Sequence, residues 1–125
     1  MSISRRQARR QALFLLYQWD LSGQEIGSQY AGEIDPWARG IAEAVAAHAD
    51  ELDARITSAA EGWTADRLGT VERSALRVAV HELESGEVPA EVAINEAVAF
   101  AKRYASEDAA RLVNGILGRI QREAA

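Results

Sequence analysis

The chain predicts an all-α fold, a helical bundle or two small bundles sharing a central helix. Three observations carry this. There are only two prolines in 125 residues, and both stand at helix-start positions. β-Branched residues form few clusters. Apolar residues recur at three- and four-residue steps, between sharp capping and stop signals.

The first helix runs from about Ser4 to Leu21, and Ser22-Gly23 ends it. Residues 22–34, rich in Gly and Ser, read as a loop with room for one short helix. Asp35-Pro36 is a strong start, a capping carboxylate followed by proline at the first helical position. Ile41, Val45, Ala49, Leu52 and Ile56 then keep helical spacing up to Gly62, a span that makes two helices if it breaks near His48-Ala49-Asp50. Gly69-Thr70 opens the next helix, with Val71, Ala75, Val78, Ala79 and Leu83 as its core face and Ser85-Gly86 as its stop.

Pro89 begins a helix that is almost wholly apolar from Val92 to Ala101, so burial on most sides is expected. Ser106 caps the last helix, where Glu107 and Asp108 sit well near the positive end of the dipole. Its stripe is Ala109, Leu112, Val113, Ile116 and Ile120. No fixed-period repeat or low-complexity linker interrupts residues 1–125, which read as one domain long enough to bury a core.

Composition excludes several function classes. With no cysteine there is no disulfide framework and no thiolate metal site. His48 and His81 are the only histidines, so a zinc site would need an uncommon carboxylate-rich ligand set. No apolar run approaches the ~20 residues of a membrane span. The basic start lacks the apolar block and cleavage site of a secretory signal. The expectation is a soluble, cytoplasmic protein without cofactor or metal.

Charge is the most informative feature. Arg5, Arg6, Arg9 and Arg10 crowd an arginine-rich segment at 1–12, ahead of the first carboxylate, Asp20. The chain has a formal charge of -5, and those four residues stand against -9 in the rest. A basic end on an acidic body suits one polyanion while the body repels others. At 100° per residue the four arginines spread over about 140° of the first helix. Ala8, Ala12, Leu15 and Trp19 occupy the opposite side, and Tyr17 lies below Arg6 and Arg10. Guanidinium groups beside an aromatic ring suit single-stranded RNA, by phosphate neutralisation and base stacking. A solvated helix face explains the same residues equally well. A membrane-surface helix fits less well, because the opposite face must bury against the bundle.

A second basic group, Lys102, Arg103 and Arg111 with Tyr104 among them, lies at the junction of the last two helices. It would join the first patch in one groove if the fold brings them together. On its own, Lys102-Arg103 reads as favourable charge at a helix C-terminus.

Asn95, Glu96 and Asn114 have no base, nucleophile or metal to work with, so no catalytic role is assigned and no enzyme is expected. They read as packing devices, with Asn95 paired to backbone or to Asn114. Gly115 and Gly118 read as points of close helix approach. Trp37 and Trp63 read as core anchors. His81 follows Arg73 and Arg77 on a polar face, and Glu72, Glu82 and Glu84 read as mostly solvated charges.

Several segments, in order, resemble the NusB family of bacterial transcription antitermination factors. They are Arg-Arg-Gln-Ala-Arg at 5–9 with Ala12-Leu13 and Leu16-Tyr17-Gln18-Trp19, then Leu76-Arg77-Val78-Ala79 with Glu82-Leu83. Val88-Pro89, Val92-Ala93-Ile94-Asn95-Glu96-Ala97-Val98, Ala101-Lys102 and Val113-Asn114-Gly115-Ile116-Leu117 complete the set. The resemblance implies about seven helices in two small bundles packed across each other. It implies binding to boxA RNA of ribosomal RNA transcripts, together with the small-subunit ribosomal protein NusE, within an RNA polymerase antitermination complex. The family's RNA surface would map onto Arg5, Arg6, Arg9, Arg10 and Tyr17 and onto Lys102, Arg103, Tyr104 and Asp108, with Arg111 beside them.

This chain departs from the family pattern at Arg10, where glutamate is frequent, and at Leu112, where phenylalanine is usual. Two other functions stay open: an accessory module for ribosomal RNA modification or processing, and a pure interaction protein docking its arginines on an acidic partner. The family contains monomers and dimers, and the sequence leaves a homodimer undecided.

Overall fold

A computed structural model describes residues 3–124, so Met1 and Ser2 of the arginine-rich segment lie outside the described residues. Among the described residues six α-helices follow one another: α1 (Arg5–Ser22), α2 (Pro36–Ala47), α3 (Ala49–Ala59), α4 (Thr70–Ser85), α5 (Ala90–Tyr104) and α6 (Glu107–Ala124), with one short 3-10 turn at Ala65–Arg67. The stretch before α2 makes a turn at residues 26–29 and no helix.

The boundaries follow the caps. The Ser4 side chain accepts from the Gln7 backbone N–H at 3.1 Å, and Gln7 Oε1 accepts from the Ser4 N–H at 2.9 Å, closing a capping box at the start of α1. Gly23 ends α1 in the left-handed conformation (φ 72°), where a side chain would be strained. Asp35 Oδ2 caps α2 through the Ala38 N–H, and Ser106 Oγ caps α6 through the Ala109 N–H. The α2–α3 span does break at His48, whose backbone (φ -113°, ψ 19°) leaves the helical region for one residue.

α1 packs on α2 and α4, while α5 and α6 pack on each other and on α4, and α3 bridges α4 and α6. Two groups of helices therefore share α4. Its residues Ser74 to Val80 are buried without interruption, so the helix has no solvated side over two turns. One contiguous core joins all six α-helices, with Leu15, Leu16, Val45, Ile56, Leu76, Val80, Val113 and Leu117 fully enclosed.

That placement of α4 overturns the expected polar face. Arg73 Nη2 meets Asp20 Oδ2 at 2.6 Å, and Arg77 binds Asp53 through Nε at 2.8 Å and Nη2 at 2.7 Å while Nη1 reaches Asp20 at 3.3 Å. Burial disfavours the Arg77 charge, but the Asp53 and Asp20 carboxylates outweigh that and raise its pKa above the ordinary arginine value. The line of arginines is an internal ionic seam tying α4 to the end of α1 and to α3. Glu82 is likewise buried, not solvated.

Other packing expectations also change. α5 is buried on one side and not on most: Ala93, Ile94, Ala97, Phe100 and Ala101 face the core, while Val92, Asn95 and Ala99 are exposed. Asn114 is exposed too, so Asn95 and Asn114 form no buried pair. A Cβ at Gly115 would meet nothing within 4 Å, and one at Gly118 would meet only the flexible Arg122 head at 3.3 Å, so neither glycine marks a close helix approach. Trp37 is half-buried against the core, but Trp63, in the turn after α3, is 47% exposed and anchors nothing.

Candidate nucleic-acid interface

The four N-terminal arginines divide into two pairs, one on each flank of α1. Arg5 and Arg9, four residues apart, turn toward α2 and α4. The Arg5 guanidinium sits 4.3 Å from the centre of the Trp37 ring and that of Arg9 5.7 Å from it. Arg9 also grips Glu82 and is 4% exposed, so it is not on the basic surface that helix geometry had drawn through all four. The signal was present in the sequence: Arg9, Ala12 and Leu16 share a stripe at three- and four-residue steps.

Arg6 and Arg10 turn the other way, toward α5. With Leu13 they form one wall of a groove of about 440 Å³, whose other wall is Glu96, Phe100, Lys102, Arg103 and Tyr104 of α5. The two basic patches, far apart in sequence, therefore meet. Lys102 and Arg103 occupy the last turn of α5, where the helix dipole favours them. Arg6 Nε reaches Glu96 Oε1 at 3.2 Å across the groove, an exposed pair that contributes little and that a phosphate can displace.

The groove has an aromatic end. Phe14, Phe100 and Tyr104 form a triangle with ring centroids 5.5, 5.0 and 4.9 Å apart. Tyr104 is its exposed member at 38%, with the Arg103 guanidinium 5.5 Å from its ring. A ring held from behind by two phenylalanines, with a cation beside it, is a ready platform for a nucleobase.

Tyr17 is half-buried, two turns beyond Arg10 on the same side of α1, and outside the groove lining. Asp108 and Arg111 pair with each other near the start of α6 and also stay outside it. The sequence reading gave no role to Phe14 and Phe100. It also missed Gln11, which pins the following loop to α1 by donating to Tyr30 Oη and the Glu33 carbonyl, both at 3.0 Å, and accepting from the Asp35 N–H at 2.7 Å.

Among the described residues no cluster of His, Asp or Glu could hold a metal ion, and no helix is long and apolar enough to cross a membrane. Fold and groove together define a small all-helical protein with a cationic, aromatic-ended groove, the surface chemistry of a polyanion binder.

The comparisons with known proteins agree on a narrower assignment. Residues 6–122 match the NusB family. The chain is 42% identical over 128 residues to the transcription antitermination protein NusB of Salinispora tropica, covering 94% of each, and 41% identical over 122 residues to that of Rubrobacter xylanophilus, covering 92% and 88%. In structure it is similar to T. maritima NusB (TM-score 0.86, 32% identity, 98% and 94% covered). It is also similar to a chain from a crystal structure of antitermination factors NusB and NusE in complex with dsRNA (TM-score 0.82, 31% identity, 95% and 96% covered). The chain belongs to the NusB family.

Proposed function

We propose that this chain is a transcription antitermination factor. It binds boxA RNA of ribosomal RNA transcripts in the cytoplasm, together with the ribosomal protein NusE, and helps RNA polymerase read through terminators. It acts by binding and has no catalytic role. The observation that carries the reading is the meeting of Arg6 and Arg10 with Lys102 and Arg103 around Tyr104, on a chain of net negative charge. Family membership and the similarity to a chain solved with NusE and dsRNA support it.

The physical division of labour is simple. Arg6, Arg10, Lys102 and Arg103 neutralise phosphates, which supplies salt-dependent affinity without base preference. Tyr104 stacks a base and fixes the strand's position. Tyr17, half-buried beyond the groove, contacts the strand's flank. Arg5, on the other flank of α1 against Trp37, adds positive field without lining the groove, and Asp108 and Arg111 lie where the strand would leave along α6. Arg9 holds α1 in place from behind.

The test is fluorescence anisotropy with labelled boxA RNA and a scrambled RNA, each with and without NusE. The reading predicts a preference for boxA that strengthens when NusE is added. Equal affinity for both RNAs under all conditions would leave a generic basic patch and overturn it.

A further inference from the structure

We propose that the RNA surface continues past the α1–α5 groove, along the α5–α6 junction, to a second aromatic station at Trp63. The proposal rests on the RNA reading above and adds a site to it. The continuity comes from shared walls. Lys102 lines the main groove and also a hollow between α5 and α6 that includes Arg111 and Asn114. Arg111 in turn lines a third hollow, about 380 Å³, between α6 and the turn that carries Trp63.

In that third hollow Arg111, Gly115, Arg119 and Arg122 share one face of α6, at steps of four, four and three residues. Gly115 leaves the floor open, since a Cβ there would meet nothing within 4 Å. Trp63 stands beside it, 47% exposed. A large indole left in water next to three guanidinium groups is the pairing of stacking platform and phosphate anchors that single strands use.

Charge favours the same occupant. The three hollows together carry seven cationic side chains against three carboxylates, on a chain of formal charge -5. Arg111 is engaged by Asp108, and Arg119 by Glu61 at 2.6 Å and Glu123 at 3.6 Å. These are exposed pairs, which contribute little and yield to a phosphate. A strand leaving the groove past Lys102 meets Arg111 next and then Trp63, so the occupant is the continuation of the same single-stranded RNA.

The experiment compares a boxA RNA of about eight nucleotides with the same RNA lengthened by about eight uridines at either end, a span within reach of one small binding surface. Lengthening should tighten binding to the natural chain by about tenfold, the order of one stacked base. Trp63→Ala should abolish that gain and leave the short RNA's affinity unchanged, while Trp63→Phe keeps most of it. Arg119→Gln with Arg122→Gln should lower the salt slope for the long RNA alone, by about 1.4 for two phosphates.

A gain that survives in Trp63→Ala, with circular dichroism showing it folded, overturns the proposal. So does a natural chain that binds the short RNA and gains nothing from the long one. If Trp63→Ala leaves both RNAs untouched but weakens NusE binding, the hollow is a protein site and the proposal falls. Failure of the short RNA to bind the natural chain would instead bring down the RNA reading itself, and this extension with it.

Discussion

Arg9 holds Glu82 through three hydrogen bonds of 2.8, 3.0 and 2.9 Å, with both residues almost completely enclosed between α1 and α4. The two are 73 positions apart in sequence. This pair decides which way α1 faces. With Arg9 locked inward, Arg5 is carried onto Trp37, and Arg6 and Arg10, about 100° further round, must face α5.

Breaking the pair should therefore damage the fold before it damages binding. Glu82→Ala leaves a buried guanidinium without its partner, a change that costs about 3–5 kcal/mol. Urea unfolding followed by circular dichroism measures it. Replacing both residues at once, as Arg9→Met with Glu82→Leu, should recover most of the loss. If Glu82→Ala unfolds at the natural midpoint, the pair is not what orients α1.

Arg6→Ala with Arg10→Ala should do the reverse. Both side chains line an open groove, so stability changes by less than about 0.5 kcal/mol, as surface substitutions usually do. Binding to boxA RNA should weaken, and the slope of log K against log salt should shrink by about 1.4, at roughly 0.7 for each phosphate contact with a single strand. A titration between 50 and 300 mM salt, chosen to keep the Debye length near ~6–14 Å, reads the slope directly. An unchanged slope would remove these two residues from the interface.

Tyr104→Ala should weaken RNA binding by about 1–3 kcal/mol through the loss of one stacked base. Tyr17→Ala should weaken it less, because Tyr17 lies outside the groove lining. Anisotropy on both folded variants gives the order. A larger loss at Tyr17 would move the aromatic contact from the α5 end of the groove to α1.

Gly115→Ala tests the packing of α6. The residue lies inside the helix with open space around it, so alanine should stabilise by about 0.5–1 kcal/mol through lower backbone entropy in the unfolded chain. Thermal unfolding checks this. Destabilisation would mean that another helix does approach there.

The helices were legible because their ends are written locally. Ser4, Asp35-Pro36 and Ser106 cap the helices they precede, and Gly23 and Gly86 close the ones they follow. Chain direction through space was less legible. Arginines at four-residue steps look the same whether they face water or buried carboxylates, and Glu82, Asp20 and Asp53 lie 24 to 73 residues from the arginines they bind. So Arg9, Arg73 and Arg77 read as surface and turned out internal.

Within the groove, the cationic residues stood out as a compositional anomaly, an arginine cluster on an acidic chain. The supporting rings did not. Phe14 and Phe100 sit on ordinary apolar stripes, and only their contact with Tyr104 gives them a role. Trp63 erred the other way, since a tryptophan in a short chain reads as core until the turn after α3 is seen to carry it outward.

The central claim is that RNA lies between α1 and α5. The most direct test is an NMR titration of the labelled chain with short boxA RNA, following every backbone amide. RNA in the groove will concentrate the shifts in residues 6–14 and 96–104, its two walls. Shifts concentrated on α2 and α3, with those two segments unmoved, would contradict it.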